Sequence, residues 1–508
     1  MDLRRFFVNL LSNCMSALTG VGLTFFLTPY IVDTLGKEAY GFYPLSNNFI
    51  MYAGILTTAL NSMSSRFITI SLEKKDLKQV NVYFNSVLFG NFFVSLFFIL
   101  TGSLFCYFAQ HILDIPINIA FDVKLLFAFV FLGLVINVSS AIFSVSAFAL
   151  NRFDKLALIN IVMNVLRLLI IVILFYYFTP RIYFLGIASF VSSLYFMYAN
   201  YRLTKKLMPE IVFSISNFSW AAITTLIGAG VWNSALALSN VINTQLDLIL
   251  ANRFFGAGDM GMLSLTKMVP MALQMLLGII VPLFLPELLK AYANNDLEKM
   301  KTNLDFSFKA IFIVLLLPIA VFFVFGQEFF KLWLPHENSE QLYLLSVITL
   351  VPFIIHGTIE TIHHVFVVTN KLRLASFWGI FISFLSIITV ILLCKFSKLG
   401  LYAIPIGALL TGILSHLTFT PIYAARCLGE RKAYFYKRIA KGIGSFLLLT
   451  LIAYSWKYLA VISLDSWLGL ILNLSILAVI LLVVCVFVLF DISVMNKIYL
   501  NVKGKLNI

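Results

Sequence analysis

The chain has 508 residues, of which 61% are hydrophobic and only 11% charged, with a formal net charge of +14. A water-soluble core of this length cannot hide so much apolar surface, so the composition excludes a soluble enzyme or binding domain and points to an integral membrane protein. The positive charge does not call for nucleic acid, because cationic loops facing an anionic leaflet produce the same excess.

Apolar runs long enough to cross about 30 Å of hydrocarbon as helices recur along the whole length. Hydropathy predicts about fourteen spans, near residues 6–33, 42–70, 81–109, 121–150, 156–178, 184–203, 220–252, 260–291, 305–326, 341–369, 374–395, 400–425, 439–461 and 466–490. The runs are continuously apolar rather than alternating, which selects helices over barrel strands and makes the fold class all-α, a polytopic membrane protein. The first run, behind Arg4 and Arg5, is too long for a signal-peptide core and is expected to stay as span 1. Lysine and arginine collect at both ends and in the even-numbered loops, including Lys74, Lys78, Arg152, Lys205, Arg431 and Lys437, at roughly three times their number in the odd loops. That bias predicts a multi-pass protein with an even number of spans and both termini cytoplasmic.

The segment Leu35-Gly36-Lys37-Glu38-Ala39-Tyr40-Gly41-Phe42-Tyr43-Pro44-Leu45 returns 220 positions later as Phe255-Gly256-Ala257-Gly258-Asp259-Met260-Gly261-Met262-Leu263-Ser264-Leu265. Without a gap, the same offset pairs Asn13 with Asn233 and Asp76-Leu77 with Asp296-Leu297. A repeated multi-helix unit is the mark of a transporter whose halves enclose a path. Each half holds an even number of spans, so the repeat is parallel. The polar stretch after Arg202 is the expected boundary, giving an N-terminal six-helix lobe over 1–210 and a second over 211–426. Residues 427–508 would add two further spans and a basic tail.

An ionised group deep in hydrocarbon costs several kcal/mol, so one that persists there faces protein or a wet cavity. Arg167 falls near the middle of span 5, and Asn160, Asn164 and Arg167 form one stripe at i, i+4, i+7. Arg66 lies about a turn from the end of span 2, where it has the reach to snorkel to the headgroups. Asp247 and Lys267 flank a short turn between spans 7 and 8 and are placed to pair with each other or to meet a ligand; Asn240 and Asn243 enrich span 7. His356, Glu360, His363 and His364 share one face of span 10 if the helix is continuous. A cavity lining, interhelical hydrogen bonding, a proton relay and a metal site are four readings of that face. The last lacks a partner ligand from a second helix, and no metal is expected. Five cysteines without paired spacing give neither a disulfide framework nor a metal motif. No dinucleotide, Walker or HExxH signature is present, so no cofactor and no enzymatic activity is expected.

The opening pattern, Thr28-Pro29-Tyr30-Ile31-Val32, then Leu35 to Gly41, then a second span closing on Ser65-Arg66-Phe67, resembles polysaccharide-type members of the multidrug/oligosaccharidyl-lipid/polysaccharide (MOP) exporter superfamily, most closely O-antigen flippases of the Wzx type. The segment from Asp247 to Lys267 and the loop Asn295-Asp296-Leu297-Glu298-Lys299 are similar to the superfamily as well. The resemblance implies a flippase that carries an undecaprenyl-diphosphate-linked oligosaccharide across a bacterial inner membrane, among membrane lipids and with other polysaccharide assembly proteins as potential partners. It also implies cationic residues against the diphosphate, for which Arg66, Arg167 and Lys267 are the candidates, with Asn164, Asn240 and Asn243 for sugar hydroxyls. Fourteen spans rather than twelve resemble lipid-linked peptidoglycan-precursor flippases. The competing expectation is a cation-coupled multidrug antiporter of the same superfamily, with Asp247, Glu360, His356 and His363 as coupling residues. A membrane-embedded glycosyltransferase is disfavoured by the short outer loops.

Overall fold

In a computed structural model, the chain is described over residues 3–459 and 463–489; the basic tail after Asp491 lies outside the described residues. The order of helices is α1 (Leu3–Glu73), α2 (Leu77–Ile112), α3 (Ala120–Ser140), α4 (Val145–Ala149), α5 (Phe153–Tyr177), α6 (Tyr183–Leu207), α7 (Trp220–Gln245), α8 (Asp247–Thr266), α9 (Met268–Ile280), α10 (Leu285–Ala293), α11 (Leu297–Trp333), α12 (Ser339–Gly357), α13 (Ile362–Val368), α14 (Leu372–Phe396), α15 (Ala403–Leu417), α16 (Phe419–Cys427), α17 (Tyr436–Leu459) and α18 (Trp467–Leu489). No strand occurs among the described residues. In hydrocarbon a backbone has no water to bond, and the helix satisfies its polar groups internally.

Eleven helical stretches among the described residues are long and apolar enough to span a membrane. Two of these, Leu11–Thr58 and Trp220–Ala293, are each long enough for two passages, and Tyr183–Leu207 is a further helix of lower hydropathy. Counting both passages and that helix recovers the expected fourteen. α1 is broken at Gly36, whose φ of 81° and ψ of 156° leave the helical region. The Thr28 hydroxyl lies 3.1 Å from the Tyr40 hydroxyl, twelve residues on. An unbroken helix would set those positions about 18 Å apart, so the chain doubles back at Gly36.

The repeat is written into the local backbone. Gly256 breaks α8 with φ 88°, matching Gly36. Lys75 and Asn295, again 220 apart, both take left-handed conformations, with φ of 58° and 56°. Each is followed by an aspartate that caps the next helix: Asp76 accepts from the Gln79 N–H at 3.0 Å and Asp296 from the Lys299 N–H at 2.9 Å. The closing bonds match too, with the Asp76 N–H on the Ser71 carbonyl and the Asp296 N–H on the Ala291 carbonyl, the reach of a Schellman motif. A further matched pair, Asn151 and Asn370, turns the chain the same way before α5 and α14. Replacing Asp76 or Asp296 by alanine is expected to cost about 1 kcal/mol each, read as a lower melting temperature of detergent-solubilised protein.

The chain divides into two compact units, Met1–Leu265 with Ser376–Ile404, and Thr266–Ala375 with Pro405–Ile508. In the first unit, Leu60, Ile68, Phe84, Val87, Ile142 and Leu226 form a buried core, and α3 and α6 approach closely because Gly133 faces Ser193 and Gly186 faces the Leu126 backbone. In the second, α17 and α18 pack Phe446, Leu449, Leu477 and Leu481 against Ile311, Leu315 and Phe325 of α11. Large side chains such as Phe26, Tyr176, Phe384, Leu451 and Phe487 stay exposed, as a lipid-facing surface requires. Compactness therefore cuts the chain elsewhere than the repeat does: α7, most of α8 and most of α14 belong to the first unit.

Candidate functional site

The polar stripe of α5 is realised in the first unit. Arg167 donates from Nη2 to the Ser189 hydroxyl of α6 at 2.9 Å, and Ser189 in turn donates to the Leu185 carbonyl at 2.8 Å. The guanidinium lies 6.0 Å from the centre of the Tyr43 ring. Its Nε is buried without a hydrogen-bond partner. Leaving such a donor unmatched is costly, so it marks a place for an acceptor that the fold itself does not supply.

Around Arg167 is a cavity of about 50 Å³ between α1 and α5, lined by Gly20, Thr24, Thr28, Tyr40, Tyr43, Asn164 and Leu168 among others. Among the described residues no carboxylate lines it. A Cβ at Gly20 would stand 3.4 Å from the Asn164 amide nitrogen, an ordinary contact distance, so α1 and the stripe lie within van der Waals reach here. The volume admits one or two groups the size of water. It therefore suits an anionic oxygen or a hydroxyl, with the rest of any large ligand outside it. Hydropathy alone did not bring Tyr40, Tyr43, Thr24, Thr28 and Ser189 to this place, because they come from three different helical segments.

The remaining candidates disperse. Arg66 is exposed on the second arm of α1. Lys267 is half-buried at the start of α9, in the second unit. Asn240 is exposed, and Asn243 is committed to the Ser383 hydroxyl of α14 at 2.8 Å, a bond shared with Ser239. Asp247 opens α8 and accepts the Leu248 N–H at 2.8 Å. The Gln245 carbonyl just before it takes two donors, the Asn48 amide at 2.9 Å and the Tyr52 hydroxyl at 2.7 Å, which fixes the interruption between α7 and α8.

The single polar face expected on span 10 needs correction. α12 ends at Gly357 and α13 begins only at Ile362, so Thr358 to Thr361 form a turn and the four residues do not share a continuous helix. His356 and Glu360 still form an ion pair across the turn, and the His363 ring centre lies 5.7 Å from that of His356. His364 leaves the group and bonds the Val281 carbonyl at 2.9 Å. In its place comes His416 of α15, 4.5 Å from His356 between ring centres, with a buried Nδ1 that has no partner. Sequence reasoning missed His416, although a lone histidine inside an apolar span was a sufficient signal. Among the described residues no group of three or more potential ligands has metal-binding geometry.

An all-α chain with repeat-related glycine breaks, apolar helices long enough to span a bilayer and a guanidinium within one of them defines the class, a multi-pass membrane protein. Residues 6–286 match the family described as polysaccharide biosynthesis protein, and the chain belongs to that family. It is 25% identical over 463 residues, 91% of each chain, to the uncharacterized membrane protein EpsK of Bacillus subtilis. Its fold is similar to an inward-facing multidrug resistance MATE transporter of the MOP superfamily, with a TM-score of 0.65, 15% identity, and 83% and 98% of the two chains covered. It is also similar to the lipid II flippase MurJ in an inward closed conformation, with a TM-score of 0.62, 14% identity, and 96% and 99% covered.

Proposed function

We propose that this protein is a flippase that moves an undecaprenyl-diphosphate-linked oligosaccharide from the inner to the outer leaflet of a bacterial plasma membrane by alternating access. The observation that carries the reading is Arg167, a cation within an apolar helix, with an unmatched Nε and a side chain that lines a cavity in which no carboxylate occurs among the described residues. A diphosphate crossing hydrocarbon needs a charge-assisted partner, and guanidinium is the side chain best shaped for phosphate oxygens. Asn164, Thr24, Thr28 and the tyrosines supply neutral donors beside it. Membership of a polysaccharide biosynthesis family supports a glycan cargo. The lobes 1–210 and 211–426 are the units that exchange states in this reading, with 427–508 as an addition and both termini cytoplasmic.

The test uses proteoliposomes carrying a fluorescent lipid-linked oligosaccharide in one leaflet. Transfer of the glycan at a rate well above protein-free vesicles is the expected result. Transport of cationic drugs in its place would contradict the glycan reading.

Cation coupling, the second reading, is favoured by one observation, the grouping of His356, Glu360, His363 and His416 in the second unit. In this reading the cluster takes up and releases a proton as transport proceeds. Glu360→Gln removes the anionic member while keeping its size. Transfer by that variant is expected to fall about tenfold and to lose its dependence on pH between about 5.5 and 8. An unchanged pH profile would exclude the cluster from coupling.

A further inference from the structure

The second unit holds another cavity, of about 400 Å³, bounded by α11, the turn after α12 and α17. Phe308 and Phe312 give it an apolar floor, and Thr358 and Gly442 meet at its edge. A Cβ at Gly442 would overlap the Thr358 methyl, so glycine sets how near α17 comes to that turn. Among the described residues four cations line the cavity, Lys309, Lys437, Arg438 and Lys441, against one carboxylate, Asp305, for a formal charge of +3. Asp305 is engaged by Arg438, whose Nε and Nη2 donate to its two oxygens at 2.5 and 3.0 Å. Arg438 is further fixed by the Tyr434 carbonyl at 3.1 Å and by the Tyr434 ring, 4.3 Å from its Cζ. Lys437 and Lys441 follow one turn apart on α17, and both are exposed.

The depth of this cavity follows from helix length. α11 has 37 residues, about 55 Å at 1.5 Å per residue, against a hydrocarbon thickness of about 30 Å. With the apolar slab centred, about 12 Å of helix projects at each end, which places Asp305 at the headgroup boundary and Phe308 and Phe312 progressively inside it. A site with cations at headgroup level and aromatic carbons just below matches an amphiphile whose anionic end is a phosphate. A free anion would gain nothing from the phenyl floor. The lysines and arginines of the Arg426 to Lys441 segment also place this end on the side with the greater cationic charge, where anionic lipids are attracted.

We propose that the cavity is a binding site for an anionic phospholipid, its phosphate held by Lys437, Lys441 and Lys309 and the start of an acyl chain lying on Phe308 and Phe312. The assignment is independent of the cargo that the protein carries. Native mass spectrometry of the full chain, released from bilayers of defined composition, tests it. Phosphatidylglycerol is expected to be retained at least about tenfold better than phosphatidylcholine, whose phosphate is offset by choline. The double variant Lys437→Gln/Lys441→Gln should lose that preference, whereas Lys74→Gln/Lys78→Gln, which removes two exposed lysines elsewhere, should keep it. Because all four side chains are exposed, melting temperatures should stay unchanged and serve as the control for folding. The proposal is overturned by equal retention of the two lipids, by an unaffected Lys437→Gln/Lys441→Gln variant, or by displacement with inorganic phosphate at millimolar concentration. Displacement by equimolar undecaprenyl phosphate would also overturn it, by assigning the cavity to a polyprenyl lipid.

Discussion

Arg167→Ala is expected to reduce export of surface glycan at least about tenfold at matched protein level, since a hydrogen bond to a charged group is worth about 1.5–3 kcal/mol. The prediction separates function from folding because the local cost of the change is small. Ser189 keeps its bond to the Leu185 carbonyl when the guanidinium is gone, so no buried hydroxyl is orphaned. The unmatched Nε, which costs the folded state free energy, disappears with the side chain. Arg167→Lys retains charge but presents a point ammonium in place of a planar fork, and should export at an intermediate level. Quantifying cell-surface polysaccharide against membrane-bound protein checks all three forms. Full export by Arg167→Ala would remove the diphosphate site from this cavity.

The second large effect concerns stability. Gly41 and Gly261 are repeat partners, and the structure sets them against each other inside the first unit: a Cβ on Gly41 would stand 2.8 Å from the Gly261 Cα and 3.0 Å from its nitrogen. A Cβ on Gly261 would overlap the Lys37 carbonyl. These are backbone obstacles, which no rotamer change relieves, so Gly261→Ala should cost about 1–3 kcal/mol or more. That loss would appear as a clear drop in melting temperature and in folded yield. Gly41→Ala should act in the same direction, and the double variant should cost less than the sum, because both changes open one contact. Gly54 is the control: it is helical, with nothing within 4 Å of its would-be Cβ, so alanine there should be neutral or stabilising by up to about 1 kcal/mol. Equal thermal stability of Gly261→Ala and the parent protein would contradict the packing described.

Membrane class, helix type and the repeat were legible in the sequence because each depends on local or periodic features. An apolar run must become a helix in lipid whatever its neighbours, and the glycines at 36 and 256 mark breaks by their own conformational freedom. The 220-residue offset predicted matching turns, and Lys75 with Asn295 and Asp76 with Asp296 supply them. Asn151 and Asn370 went unnoticed because they sit one residue out of that register. The candidate site was less readable. Asn164 and Arg167 share a stripe in any α-helix, but Tyr40, Tyr43 and Ser189 reach it only through the Gly36 reversal and the packing of α6. The histidines show the opposite failure, since helical spacing was assumed across Thr358 to Thr361, where the backbone turns and sends His364 away. Partners from distant segments, such as His416 or Ser383, are set by tertiary packing that no periodicity encodes.

The most direct measurement is the affinity of purified protein for a short-chain polyprenyl diphosphate saccharide and for its neutral polyprenol counterpart, in the parent chain and in Arg167→Gln. If the half-buried Arg167 side chain neutralises the cargo, the parent should prefer the diphosphate, and Arg167→Gln should lose at least about tenfold in diphosphate affinity while binding the neutral lipid unchanged. Identical diphosphate affinity in the two proteins would contradict it.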